Sequence, residues 1–182
     1  MAVINQGLAR ADAKRLANLL AEAGHAEHDY LPEERITGYL ARLEQGTLEC
    51  ISAVEEEVLV AALLYSRFGP LYPAPGSFLR LSGLYVDEVV VSRHWRRNGW
   101  SRRLLAKLRE IASTEPDIYI DCDAANAASV AMMHSAGYLH VADYADQDRT
   151  TSSAHTRTTS LFRQPGRPVC QPRPAPGVVA VG

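Results

Sequence analysis

Asp87 and Glu88 stand side by side immediately before Val89, Val90 and Val91. A carboxylate attracts an ammonium group and can take its proton, directly or through a water, so the pair is a candidate for general-base work on an amine. Alternation along a strand turns neighbouring side chains to opposite faces, so only one of the two reaches a given site unless a bulge intervenes. Two solvated charges at a strand irregularity would look the same in the sequence. Downstream, Arg96, Arg97, Asn98, Gly99, Trp100, Ser101 and Arg102 lead from the valines into a leucine pattern. A strand that feeds through a glycine turn into a helix exposes unpaired backbone N–H groups at the positive end of the helix dipole. Gly99 permits close backbone approach or an unusual φ, and Arg96, Arg97 and Arg102 add charge at the same point. That combination binds phosphate. A solvated basic helix start shares the local pattern, so the turn alone leaves both open.

The elements that must position these residues follow from periodicity. Leu16, Leu19 and Leu20 share a helix face between Asp12 and Gly24, and Ile36, Tyr39, Leu40 and Leu43 share another between Pro32 and Gly46. "LECISAV" and "VLVAALLYSRF" flank the acidic turn Glu55, Glu56 and Glu57 and read as an antiparallel hairpin. Three prolines make "GPLYPAPGS" a loop, and "LRLSGLYVDEVVV" is the next strand. Leu104, Leu105, Leu108 and Ile111 mark a helix after Gly99, followed by strand "IYIDC", helix "ASVAMMHSAG" and closing strands "YLHVADY" and "TRTTSLF". The order predicts a mixed α+β sheet with helices packed on it. The folded unit is expected over residues 1–162, and the proline-rich residues 163–182 are expected to form an irregular tail.

Bulk composition narrows the function. With 182 residues, 47% hydrophobic content and a formal net charge of -2, the chain is expected to be one globular domain with its own core. The charge balance argues against nucleic-acid binding, which needs a basic excess. No stretch is apolar for long enough to span a bilayer and "MAVINQGLARADAKR" lacks a signal-peptide block, so no membrane partner and a cytoplasmic location are expected. Cys50, Cys122 and Cys170 match no zinc-ligand spacing, so reduced thiols and no metal are expected.

The run Arg96, Arg97, Asn98, Gly99, Trp100, Ser101 resembles the R-x-x-G-x-[G/A] acetyl-coenzyme A signature of the GNAT acetyltransferase superfamily. The resemblance covers roughly residues 8–162 and includes "NAASVAMMHSAGY", which is similar to the family's N-x-x-A-x-x-x-Y-x-x-x-G-F block at Asn126, Ser129, Gly137 and Tyr138. It implies a mostly antiparallel mixed sheet with helices on both faces and two central strands, "LYVDEVVV" and "IYIDC", splayed apart. It also implies that the amides from Asn98 to Arg102 cradle a pyrophosphate. The edge at Val89 to Val91 would bond the pantetheine arm of acetyl-CoA, with Asn126 holding it from the other side. A homodimer is a common family arrangement.

The sequence departs from the family pattern in two places. Ser101 replaces the second small residue and adds a hydroxyl, and Met133 stands where many members carry a tyrosine acid. A thioether cannot donate a proton, and neighbouring His134 is rotated away by one helical step. Tyr138 is expected to pack, and Cys122 to fill core. The implied activity is N-acetylation of a primary amine by direct transfer in a ternary complex, with Glu88 or Asp87 as base. Glu33, Glu34, Glu55, Glu56, Glu57, Asp87 and Glu88 make the expected substrate half acidic, which favours a small cationic acceptor such as a polyamine, amino sugar or lysine-like compound, with ordinary surface charge the better reading for the Glu55 to Glu57 turn. The alternatives are a catalytically weak acyl-CoA-binding module and a protein N-acetyltransferase.

Overall fold

Leucines at helical spacing build the first layer. Leu16, Leu19 and Leu20 are buried on α1 (Ala13–Ala23), and Ile36 and Tyr39 are buried on α2 (Glu33–Glu44), which starts behind Pro32. Both helices cover the same face of a sheet, against Cys50, Ala62, Leu64 and Val90. On the opposite face α3 (Trp100–Ile111) buries Leu104, Leu105 and Leu108 against Ile51, Leu63, Leu84, Val86, Ile118, Ile120 and Phe162. Removing those three leucines from water contributes roughly 5–8 kcal/mol before entropy is counted.

A computed structural model describes residues 3–8, 12–23, 25–26, 29–68, 83–112, 117–146 and 157–166. Its strands are β1 (Val3–Gln6), β2 (His25–Ala26), β3 (Asp29–Tyr30), β4 (Glu49–Glu55), β5 (Val58–Phe68), β6 (Gly83–Val91), β7 (Asp117–Asp123), β8 (Leu139–Asp146) and β9 (Arg157–Pro165), with α4 (Ala127–Ser135) between β7 and β8. Among the described residues seven strands form one sheet in the order β1-β4-β5-β6-β7-β9-β8, and β2 pairs with β3 in a second. Every neighbouring pair in the large sheet is antiparallel except β6 with β7. The parallel pair follows from the α3 crossover, because parallel strands need a long connection and a hairpin cannot supply it. The expected mixed, mostly antiparallel sheet with helices on both faces is what the chain forms. Among the described residues no helix is long and apolar enough to cross a membrane.

Strand β5 sits at the centre of the two layers. Val60 through Tyr65 are fully buried, so its apolar run is continuous where a half-exposed strand would alternate. Strand β1 carries no apolar periodicity and was not anticipated. It is an edge strand whose residues are mostly exposed, so no buried face marks it in the sequence. Strand β9 runs past Phe162 to Pro165, with Gln164 buried and donating to the Ala136 carbonyl at 3.0 Å. The rest of the expected tail, the loop from Gly69 to Ser77, residues 147–156 and Cys170 lie outside the described residues.

The join between β6 and β7 is tight at its start. Gly83 has φ of +142°, and a Cβ there would lie 2.2 Å from the Asp117 carbonyl oxygen. Gly83→Ala is therefore expected to lower stability by about 2–4 kcal/mol in urea unfolding, since backbone rather than a flexible side chain must give way. Burial pushes the Cys50 thiol up to about 12 from an ordinary 9.0. A thiol reagent at pH 8 is expected to label Cys50 only as the chain unfolds. The stability from keeping this thiol neutral is intact below pH 9 and lost as pH rises from about 9 towards 12, because the unfolded thiol ionises first.

Candidate active site

Asp87 has no residue opposite it on β5. Leu64 pairs with Glu88 and Tyr65 pairs with Val86, so Asp87 is the extra residue of a β-bulge. The bulge resets the alternation of β6. Before it, Leu84 and Val86 enter the core under α3; after it, Val89 and Val91 pack there while Val90 packs under α1 and α2. Glu88 shares the face of its partner Leu64, which is the α1/α2 face. Asp87 is on that face too, where Arg42 Nη1 of α2 lies 2.7 Å from its Oδ1 and Ser66 Oγ donates to its Oδ2 at 2.6 Å. The Tyr39 hydroxyl donates to the Asp87 carbonyl at 3.2 Å. The bulge therefore overrides the expected division of the two carboxylates between faces. Nothing in the local sequence marked Arg42, Ser66 or Tyr39 as partners, because α2 and β5 reach Asp87 only through the fold.

Beyond the bulge, β6 leaves β7. Their pairing consists of Leu84 with Ile118, Tyr85 with Tyr119 and Val86 with Ile120, whereas β7 stays paired with β9 as far as Asp123. On the other edge, β6 remains bonded to β5, and the Ser92 N–H donates to Val60 O at 2.9 Å. That bond sets the phase of the antiparallel ladder. Val90 exchanges its bonds with β5, and the N–H and C=O groups of Val89 and Val91 point into the gap that β7 vacates. The splayed central strands expected from the sequence are present in this pairing.

The start of α3 lies at the end of this open edge. A 3-10 turn at Arg93–Trp95 follows β6, held by Glu22 of α1, whose carboxylate accepts the Arg93 N–H at 2.9 Å. Arg97 and Gly99 then adopt left-handed backbone with φ of 66° and 75°. For arginine that conformation costs about 1–2 kcal/mol, and alternating hands around Asn98 form a concave set of N–H groups suited to an anion. Gly99 is the N-cap residue, no side chain among the described residues caps the helix, and its first bond runs from the Arg103 N–H to Gly99 O at 3.1 Å. The amides of Trp100, Ser101 and Arg102 therefore have no acceptor within the helix. Arg96, Arg97 and Arg102 are exposed around them, and Arg96 Nε reaches the Val91 carbonyl at 3.4 Å. Trp100 itself is buried under the Arg103 guanidinium, with its indole N–H unpartnered among the described residues, so only its backbone faces the turn.

Helix α4 differs at its start. Asn126 Oδ1 accepts the Ser129 N–H at 3.1 Å, a side-chain cap that engages only the oxygen of the amide. Met133 is buried in the α3-side core, while His134 is exposed with its ring edge against Phe162. Tyr138 is also buried, its hydroxyl has no partner among the described residues, and desolvation raises its pKa. It fills space. Cys122 is buried in the same core.

Comparison with known proteins bears on the family and the fold. Residues 13–138 match the Acetyltransferase (GNAT) family model. Among curated proteins, none matches the sequence. Among solved structures, the chain is similar to the ribosomal-protein-S18-alanine N-acetyltransferase of Escherichia coli at 14% identity and TM-score 0.69, covering 91% of this chain and 94% of that one. The ribosomal-protein-alanine N-acetyltransferase of Brucella melitensis aligns at 19% identity and TM-score 0.68 over 90% and 99% of the two chains. The protein yncA of Salmonella typhimurium, solved with its cofactor acetyl-CoA, aligns at 15% and 0.68 over 96% and 99%.

The pairing of Asp87 with Arg42 predicts a measurable coupling. Arg42→Ala is expected to lower stability by about 1–2 kcal/mol, discounted because the arginine is partly exposed. A double-mutant cycle with Asp87→Asn is expected to return roughly 1 kcal/mol of interaction. Additive effects would show that the contact is not energetically real.

Proposed function

This chain belongs to the GNAT acetyltransferase family and is an N-acetyltransferase that uses acetyl-CoA, and we propose that it acetylates a small cationic primary amine by direct transfer in a ternary complex. The observation that carries this assignment is the uncapped, glycine-led start of α3 set beside the unpaired edge of β6. Its free N–H groups and exposed arginines fit a pyrophosphate, and the outward groups of Val89 and Val91 fit an amide-bearing arm. Amides from Asn98 to Arg102, with Arg96, Arg97 and Arg102 around them, hold the phosphates. Val89 and Val91 bond the arm along the gap, while Val90 supports the edge from the core. Asn126 and Ser129 approach from the start of α4, where the cap leaves the Asn126 amide nitrogen to donate. Bound there, acetyl-CoA supplies the acetyl group as a thioester.

Glu88 accepts the proton that the amine must lose, through a water, and its charge draws the ammonium to the gap. Asp87 is held by Arg42 and Ser66, so its part is to fix the bulge that turns Glu88 to the acceptor face. Position 133 offers no acid. The proton taken up by the departing thiolate comes from solvent or from the amine. Two of the similar structures are named for acetylation of a ribosomal-protein alanine, which makes a peptide α-amine the competing acceptor.

The test is calorimetric titration with acetyl-CoA followed by thiol-release assays on diamines, amino sugars and alanine-initiated peptides. Arg97→Glu is expected to weaken acetyl-CoA binding about tenfold or more. Glu88→Gln is expected to leave that affinity unchanged and to lower kcat by roughly 10²–10⁴. If only the peptides turn over, the small-amine assignment is wrong; if the intact protein does not bind acetyl-CoA, the site itself is wrong.

A further inference from the structure

Arg96 Nε donates to the Val91 carbonyl at 3.4 Å. That carbonyl is one of the groups that β6 turns away from β5 and into the gap, because the ladder with β5 uses Val90 and Ser92. A donor to it must itself lie in the gap, so the Arg96 guanidinium stands across the open edge where β6 ends. Arg96 is also exposed and directly precedes the left-handed Arg97. Its backbone thus borders the concave amides at the start of α3, while its side chain reaches back to the strand.

The neighbouring arginines are placed differently. The Arg102 guanidinium lies over Gly99, where its Nη2 is 3.7 Å from the position a Cβ would take. It stands at the turn itself. The Arg103 guanidinium lies over the Trp100 ring, 4.8 Å from its centroid. Arg96, by contrast, is bonded to the edge along which the arm of acetyl-CoA would run. An amide-bearing arm laid there brings its own N–H to the Val91 carbonyl and fills the space in front of it, so the guanidinium must leave. For an arm without phosphate that loss is uncompensated, and it offsets part of what the arm's own hydrogen bond contributes. A pyrophosphate changes the balance, because a guanidinium meets phosphate oxygens in paired, charge-assisted bonds.

We propose that Arg96 is a donor-specificity residue: by exchanging the Val91 carbonyl for a phosphate oxygen, it favours pantetheine that carries a pyrophosphate, as in a coenzyme A thioester, over pantetheine that carries no phosphate. The assignment rests on the acetyl-CoA site proposed above and deepens it, since the arm gains the edge together with the pyrophosphate. Arg96 takes no part in bond making at the acetyl group.

Calorimetric titration with CoA and with pantetheine, on the intact protein and on Arg96→Ala and Arg102→Ala, decides the matter. Arg96→Ala is expected to bind CoA about fivefold more weakly and pantetheine about threefold more tightly, so that the preference for CoA falls roughly fifteenfold. Arg102→Ala removes charge at the turn but nothing from the edge, so it is expected to weaken CoA about as much and to leave pantetheine within about 1.5-fold. A gain in pantetheine affinity is a result that neither lost structure nor lost positive charge produces. Unchanged or weaker pantetheine binding in Arg96→Ala, or an equal gain in Arg102→Ala, overturns the exchange. Where pantetheine binds the intact protein too weakly to measure, binding that emerges in Arg96→Ala upholds the exchange, and binding that stays absent overturns it. Absence of CoA binding by the intact protein counts against the site as a whole, and the exchange falls with it; CoA binding without the pantetheine gain counts against the exchange alone.

Discussion

The parting of β6 from β7 after three parallel pairs is the constraint on which the site depends. A sheet normally satisfies every interior backbone group, so an unpaired edge in its middle leaves N–H and C=O groups in need of another partner. Two features impose the separation. The close approach at Gly83 clamps the strands together at one end, and the bulge at Asp87 bends β6 where the pairing stops. Strand β7 cannot follow because β9 holds it along its whole length.

The same bulge does a second job. By adding one residue it brings Asp87 and Glu88 to one face, against the ordinary alternation of a strand. Arg42, Ser66 and Tyr39 then secure Asp87 from α2 and β5. One irregularity thus stands where the edge of β6 becomes unpaired and puts both carboxylates on one face.

Helix termini divide the remaining work. The start of α4 is closed by Asn126, as a helix start usually is. The start of α3 is left uncapped and is reached through a left-handed arginine, which stores strain that an ordinary turn would shed. Unsatisfied amides and strain are tolerable where a phosphate completes the bonding. The chain belongs to a family that binds one.

Local features of the sequence were enough for much of this. Leucine spacing marked α1, α2 and α3, β-branched runs marked β4 to β7, and the arginine–glycine turn marked the start of α3, because each depends on neighbours in the chain. Strand β1 escaped because an exposed edge strand has no buried face to leave a pattern. Residues drawn from distant elements escaped for a different reason: Arg42 on Asp87, and Tyr85 with Tyr144 on Asp121, are brought together only when strands and helices pack. The sequence by itself determined which residues could bind phosphate and carry charge. Only the tertiary structure decided that the two carboxylates share a face and that Asp87 is tied to a guanidinium, because the one-residue bulge that sets this is visible only in the pairing of β6 with β5.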